Sequence, residues 1–244
     1  MRTLILFLSI VFYTLTCQAQ AGTSLDIAGP GSTNGYGQVR FTNASALGEK
    51  TTEQVKDADI DGSPYFDERW GKAIVLLQNG QVVKTAKLRI DLYRNEVHYV
   101  DSLGLELIAI SGVVKKIFLL DRKDSTKIAT VFQQIIGVDG NNATAFVQVL
   151  NTGNTALLKY IHVTIFKKGY DELAGKDNYT FLAKPIYCML KNGVVTTLKG
   201  LDEKAVLGVV APSADQTAWL QAHDNKLRNE KDIIAFLNYC NGIK

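Results

Sequence analysis

Four carboxylates, Asp57, Asp59, Asp61 and Glu68, fall in the run Asp57-Ala58-Asp59-Ile60-Asp61-Gly62 followed by Glu68, which has the spacing of an EF-hand calcium loop. Alternate carboxylates converge on a hard cation, the glycine permits the sharp bend, and the distal glutamate closes the shell with two oxygens. The context works against this reading. Pro64 has no N–H to donate where a paired loop needs one, residues 46–56 carry a poor helical stripe, and there is no second hand. The plainer alternative is an acidic turn leading into the first core strand. Calcium is therefore the one metal that the sequence raises, and no organic cofactor is implied.

Hydrolytic chemistry has a thin inventory. The only imidazoles are His98, His162 and His223, and no Gly-x-Ser-x-Gly elbow is present. His162 alternates with Tyr160, Thr164 and Phe166, and His98 with Val100, which reads as half-exposed sheet positions. No two Cys or His residues have zinc-ligand spacing. Trp70, Trp219, Tyr65, Phe66 and Tyr93 are the candidates for a stacking platform, with core packing as the competing reading. The sequons at Asn43, Asn142 and Asn178 matter only on a eukaryotic secretory path.

The elements that must position these side chains are mostly strands. From Trp70 onward, apolar runs recur at short intervals: 72–78, 82–94, 96–100, 105–110, 113–120, 127–136, 144–150, 157–167, 181–190 and 194–198. Asn79-Gly80 and Asn192-Gly193 mark hairpin turns of the type in which both residues take positive φ. In the run 82–94, Ala86, Leu88, Ile90 and Leu92 face one way and Thr85, Lys87, Arg89, Asp91 and Tyr93 the other, predicting a core face and a wet face. The spacing predicts an α+β protein, predominantly an antiparallel β meander, either a sandwich or an open barrel. A helical tail follows, with N-caps at Asp202, Ser213 (in a capping box with Gln216) and Asn229, and a stop at Gly242.

The N-terminus reads as an export signal. Arg2 supplies the positive region, residues 4–15 are uncharged and largely apolar, and Ala19 and Ala21 offer cleavage sites, Ala19 being favoured. The run is too short to span a bilayer, and Thr14 and Thr16 fit poorly with a lipid-modified Cys17. Removing residues 1–19 takes Arg2 away and brings the net charge from +3 to +2, so no nucleic-acid footprint is expected. The organisation read from the chain is a signal at 1–19, a Gly/Ser/Thr/Asn-rich flexible arm at 20–60, a β domain at 61–200 and a helical tail at 201–244 packed on it. Within the arm only residues 36–42 resemble a strand.

Gly62-Ser63-Pro64-Tyr65-Phe66, Trp70, Leu92-Tyr93, Tyr187, Lys191-Asn192-Gly193 and Tyr239-Cys240-Asn241 together resemble a widespread group of uncharacterised exported proteins of Gram-negative bacteria, over residues 60–244. The resemblance implies export and the overall architecture, and carries no site across. It also implies a Tyr-Tyr-Asn ending, from which Cys240 departs. The expected function is a non-enzymatic envelope protein, periplasmic, outer-membrane-associated or extracellular, that binds a partner or small ligand; the alternative is an exported hydrolase with a site assembled from distant residues. Cys188 shares a strand face with Ile186 and Leu190, and Cys240 a helix stripe with Ile233 and Leu237. A helix docked over that strand would allow a disulfide between them, against the alternative of two separate buried thiols.

Overall fold

The computed structural model describes the backbone of residues 42–43 and the chain over 60–110, 112–138 and 143–243. Twelve strands form one mixed sheet: β1 (Thr42–Asn43), β2 (Ile60–Asp61), β3 (Gly71–Leu77), β4 (Val82–Asp91), β5 (Glu96–Val100), β6 (Glu106–Ile108), β7 (Val114–Leu120), β8 (Ile128–Ile136), β9 (Thr144–Val149), β10 (Thr155–Asp171), β11 (Lys176–Lys191) and β12 (Val194–Thr197). The ladder runs β1-β6-β5-β4-β3-β7-β8-β9-β10-β11-β12 without closing. All its pairs are antiparallel except one, β2 alongside β11, where Ile60 lies opposite Tyr179. Short connections between neighbours explain the meander, because antiparallel strands need only a tight turn to return.

Two hairpins show how turn chemistry sets register. At Asn192-Gly193 both residues take positive φ, 51° and 81°, and Lys191 pairs directly with Val194. At Asn79-Gly80 only the glycine does so, with φ of 86°. There the Leu77 N–H bonds to the Gln81 carbonyl across a wider loop, so the expectation of two left-handed residues fails at this turn. Asn79 Oδ1 instead accepts from the Gln81 N–H, a side-chain turn that leaves Asn79 in ordinary backbone space.

The alternation in β4 holds only locally. Leu88 and Ile90 are buried as expected, but a bulge shifts the register against β3 between Gly71 and Ala73. The extra residue moves Val83 onto the core face and exposes Ala86. The principal core gathers Val75, Leu88, Ile90, Val97, Ile117, Phe132, Phe146 and Val163 from strands β3 to β10, so the sheet must roll on itself to bury them. Asn95, at the β4–β5 turn, bridges this roll: its side chain accepts from the Phe146 N–H and donates to the Thr144 carbonyl. Residues 60–66 form a strap, pairing with β11 at one end and with the end of β4 at the other, where the Phe66 N–H bonds to the Ile90 carbonyl.

Three helices follow as expected: α1 (Glu203–Val210), α2 (Ala214–Ala222) and α3 (Glu230–Cys240), capped by Asp202, by the Ser213/Gln216 box and by Asn229. They bury Leu157 and Met189 of β10 and β11 under Val206, Leu220, Ile233, Phe236 and Leu237. No helix among the described residues is long and apolar enough to cross a membrane.

Glu230, at the start of α3, ties this layer to the sheet by accepting from Lys159 Nζ at 2.8 Å and the Tyr187 hydroxyl at 2.5 Å. Those hydrogen bonds, Lys159 first, hold its carboxyl below the usual range. A carboxylate depressed in the folded state adds stability above its unfolded value and loses it as pH falls through the folded one. The melting temperature should therefore decline as pH drops below roughly 4.3. In Glu230→Gln the difference between neutral and acid melting temperatures should shrink; an unchanged difference in thermal melts would remove Glu230 from the acid response.

Candidate functional site

The polar cluster with the most developed geometry lies on one face of β4, β5 and β6. Strand register creates it: Arg89 stands opposite His98 and Asp91 opposite Glu96, while Glu106 lies diagonal to His98. Residues of one parity share a face, so five ionisable side chains emerge side by side. This is the face that alternation marks as wet, yet Asp91 is 0% and His98 6% exposed. The strap makes the difference, because Tyr65 bridges to Asp91 and its ring meets His98 edge-on at 5.5 Å.

The Arg89 guanidinium is held between the rings of Tyr65, 4.0 Å away, and Trp70, 4.4 Å away. Clamped there, its Nη2 donates to Glu106 Oε1 at 2.8 Å, and the same oxygen lies 2.7 Å from His98 Nδ1. Burial pushes the Glu106 carboxyl up, but the Arg89 and His98 hydrogen bonds outweigh it and the net direction is down. A carboxylate only accepts, so His98 Nδ1 carries the proton in this pair. That leaves His98 Nε2 buried without a hydrogen-bond partner, 3.6 Å from Glu96 Oε2. Asp91 Oδ1 accepts from the Arg94 N–H and Oδ2 from Arg94 Nη1. Nearby, Asp67 takes bonds from Arg69 and Arg122, which hold its carboxyl far below the usual range. Asp67, Arg69, Arg122, Arg89 and Phe66 border a cleft of about 430 Å³ floored by Leu88, Ile90 and Leu119.

The other candidates from the sequence are dispersed. Asp57 and Asp59 lie outside the described residues. Asp61 sits in β2, exposed and paired with Lys168 at 2.9 Å, and Glu68 is exposed. The chain leaving Glu68 enters β3 and not a helix, so the exit half of an EF-hand is missing. His162 meets the Tyr160 hydroxyl, and His223 the Trp219 carbonyl. The aromatic residues divide among separate tasks: Tyr65 and Trp70 clamp Arg89, Phe66 packs on Phe132, Tyr93 on Phe181, and Trp219 between His223 and Tyr239.

Both cysteines are free. The disulfide fails on strand parity: Met189 and Tyr187 point to the helices, so Cys188 points to the opposite face, against Val138 and Thr197. Cys240 packs on the helical side. Comparison with protein-family models, curated proteins and solved structures returns no match.

Sequence reasoning treated Asp91 and His98 as ordinary sheet positions and missed Glu96 and Glu106. The available signal was parity across two consecutive hairpin strands, Arg89-Asp91 and Glu96-His98, which places four ionisable groups on one face wherever a turn joins them.

Proposed function

We propose that this is an exported envelope protein that acts by binding a partner polypeptide, and that the distal half of the β10–β11 hairpin is its docking element. The export part rests on the N-terminal sequence. The binding part rests on one observation: the hairpin outruns the sheet and stays apolar. β9 leaves β10 after Lys159, so the β10 edge from Ile161 to Asp171 has no neighbouring strand among the described residues. Phe166, Tyr170, Leu173 and Leu182 are all exposed, Leu173 fully. An unpaired edge with apolar side chains is a template for a further strand.

The distal half of the hairpin also carries four lysines, 167, 168, 176 and 184, against Asp171, Glu172 and Asp177. This balance favours an extended partner segment that alternates apolar and acidic side chains over a second copy bearing the same lysines. A photo-crosslinking residue placed at Phe166, Leu173 or Leu182 in cells exporting the protein tests this. Each should give the same discrete adduct, reduced by Lys184→Glu, with none from Leu103, which is equally solvent-facing at another turn (80% exposed). Adducts absent from all three sites, shared equally by Leu103, or formed only with the protein itself would reject the proposal.

A further inference from the structure

We propose that Asp91, Glu96 and His98 form a binding site for a first-row divalent transition metal, with zinc as the fitting ion. This inference is independent of the hairpin. One ligand atom from each residue lies within 4.8 Å of the other two. His98 Nε2 lies 3.6 Å from Glu96 Oε2, too long for a hydrogen bond. That distance matches the separation of roughly 3.4 Å that two ligands take around tetrahedral zinc at bond lengths near 2.0–2.2 Å.

A second observation points the same way. His98 Nδ1 is committed to Glu106, so in the neutral ring the lone pair sits on Nε2. A carboxylate behind the distal nitrogen is the arrangement by which metal-binding imidazoles are oriented and made more basic. Here that carboxylate is itself fixed by Arg89, which is clamped between Tyr65 and Trp70. The His98 side chain is 8% exposed and Nε2 has no hydrogen-bond partner. A buried lone pair therefore faces a carboxylate, two acceptors with no donor between them. Such an orphan acceptor is costly to leave unpaired, and a cation between the two removes the conflict.

Asp91 completes the set from across the hairpin. Arg94 occupies one lone pair on each of its oxygens, and a carboxylate oxygen offers two. One nitrogen and two oxygens suit zinc or its neighbours; calcium needs six to eight oxygens. Glu96, 36% exposed at its side chain, has the freedom to close the remaining gap.

The test is calorimetric titration of the purified protein with zinc chloride, paired with histidine ring nitrogen spectra and with cobalt as an optical substitute. One equivalent should bind with Kd of about 10 µM or tighter, shift the His98 Nε2 resonance and resist millimolar calcium. Glu96→Gln and His98→Gln should each weaken binding at least tenfold, and Glu106→Gln, acting through His98, about 10- to 100-fold. His162→Ala and His223→Ala should leave it unchanged. Circular dichroism checks the fold; if His98→Gln does not fold, the solvent-facing Glu96→Gln decides. No heat with folded protein at 1 mM zinc, a His98 signal blind to the metal, or full affinity in Glu96→Gln would overturn the site.

Discussion

Gly153→Ala should destabilise the protein by at least about 3 kcal/mol, lowering the melting temperature by roughly 6–12 °C. Gly153 sits in the β9–β10 turn with φ of +121°, and a methyl there would stand 2.3 Å from Asn241 Cγ and 2.8 Å from its Cβ. Asn241 ends α3 and locks it to this turn: its Nδ2 donates to the carbonyls of Thr152 and Thr155, and its Oδ1 accepts from the Thr155 N–H. The methyl forces a left-handed backbone strain and evicts a side chain holding three hydrogen bonds, each worth about 1 kcal/mol net. Thermal melts of a double-mutant cycle separate the two effects. Asn241→Ala is costly in the parent and should be nearly silent in Gly153→Ala, because the clash has already broken the lock. Strictly additive effects would show that the turn and the helix end are not coupled.

Phe236→Ala should cost about 3–5 kcal/mol. Phe236 is fully buried between the sheet residues Leu157 and Met189 and the other helices, with the Trp219 ring 6.1 Å away. Cavity formation on one side of the sheet has a chemical signature. Under native conditions alkylation of Cys240 should speed up, while Cys188, on the opposite face and 0% exposed, should stay protected. After full denaturation both should label without reductant. Equal acceleration at both thiols would mean that the helical layer and the opposite core unfold together, and protection from alkylation in denaturant would reinstate a disulfide.

The fold was legible where local chemistry and tertiary demand agree. Asp202, Ser213 with Gln216, and Asn229 announce helices that the structure places where those caps put them, because a cap satisfies N–H groups with no other partner. The outer limits of β10 and β11 were not legible. Residues 168–180 mix Gly169, Gly175 and charged groups, which read as a loop, yet the chain continues the ladder through a bulge between Lys167 and Gly169. Cross-strand pairing overrides local preference there. The polar cluster was half visible: parity puts Arg89 and Asp91 on one face, but only the strap, arriving through Tyr65, buries it. The faces of Cys188 and Cys240 were each read as apolar, and of the two readings left open the structure bears out the separate thiols, because each meets a different apolar core.

The strap has a consequence for the order of folding. Eight of the eleven strand pairs join consecutive strands and can form as soon as both exist. Residues 60–66 are different: the Thr180 hydroxyl that reaches the Asp61 carbonyl is 119 residues further along. At a synthesis rate of roughly 5–20 residues per second, that partner emerges some 6–24 s later. β2 therefore waits while hairpins accumulate after it. It docks only once β11 has formed, across the longest separation of any strand pair in the sheet, where closure entropy slows association. The cover over Asp91 and His98 is thus laid down with β4 at its Tyr65 end and fastened at its Ile60 end only when β11 arrives.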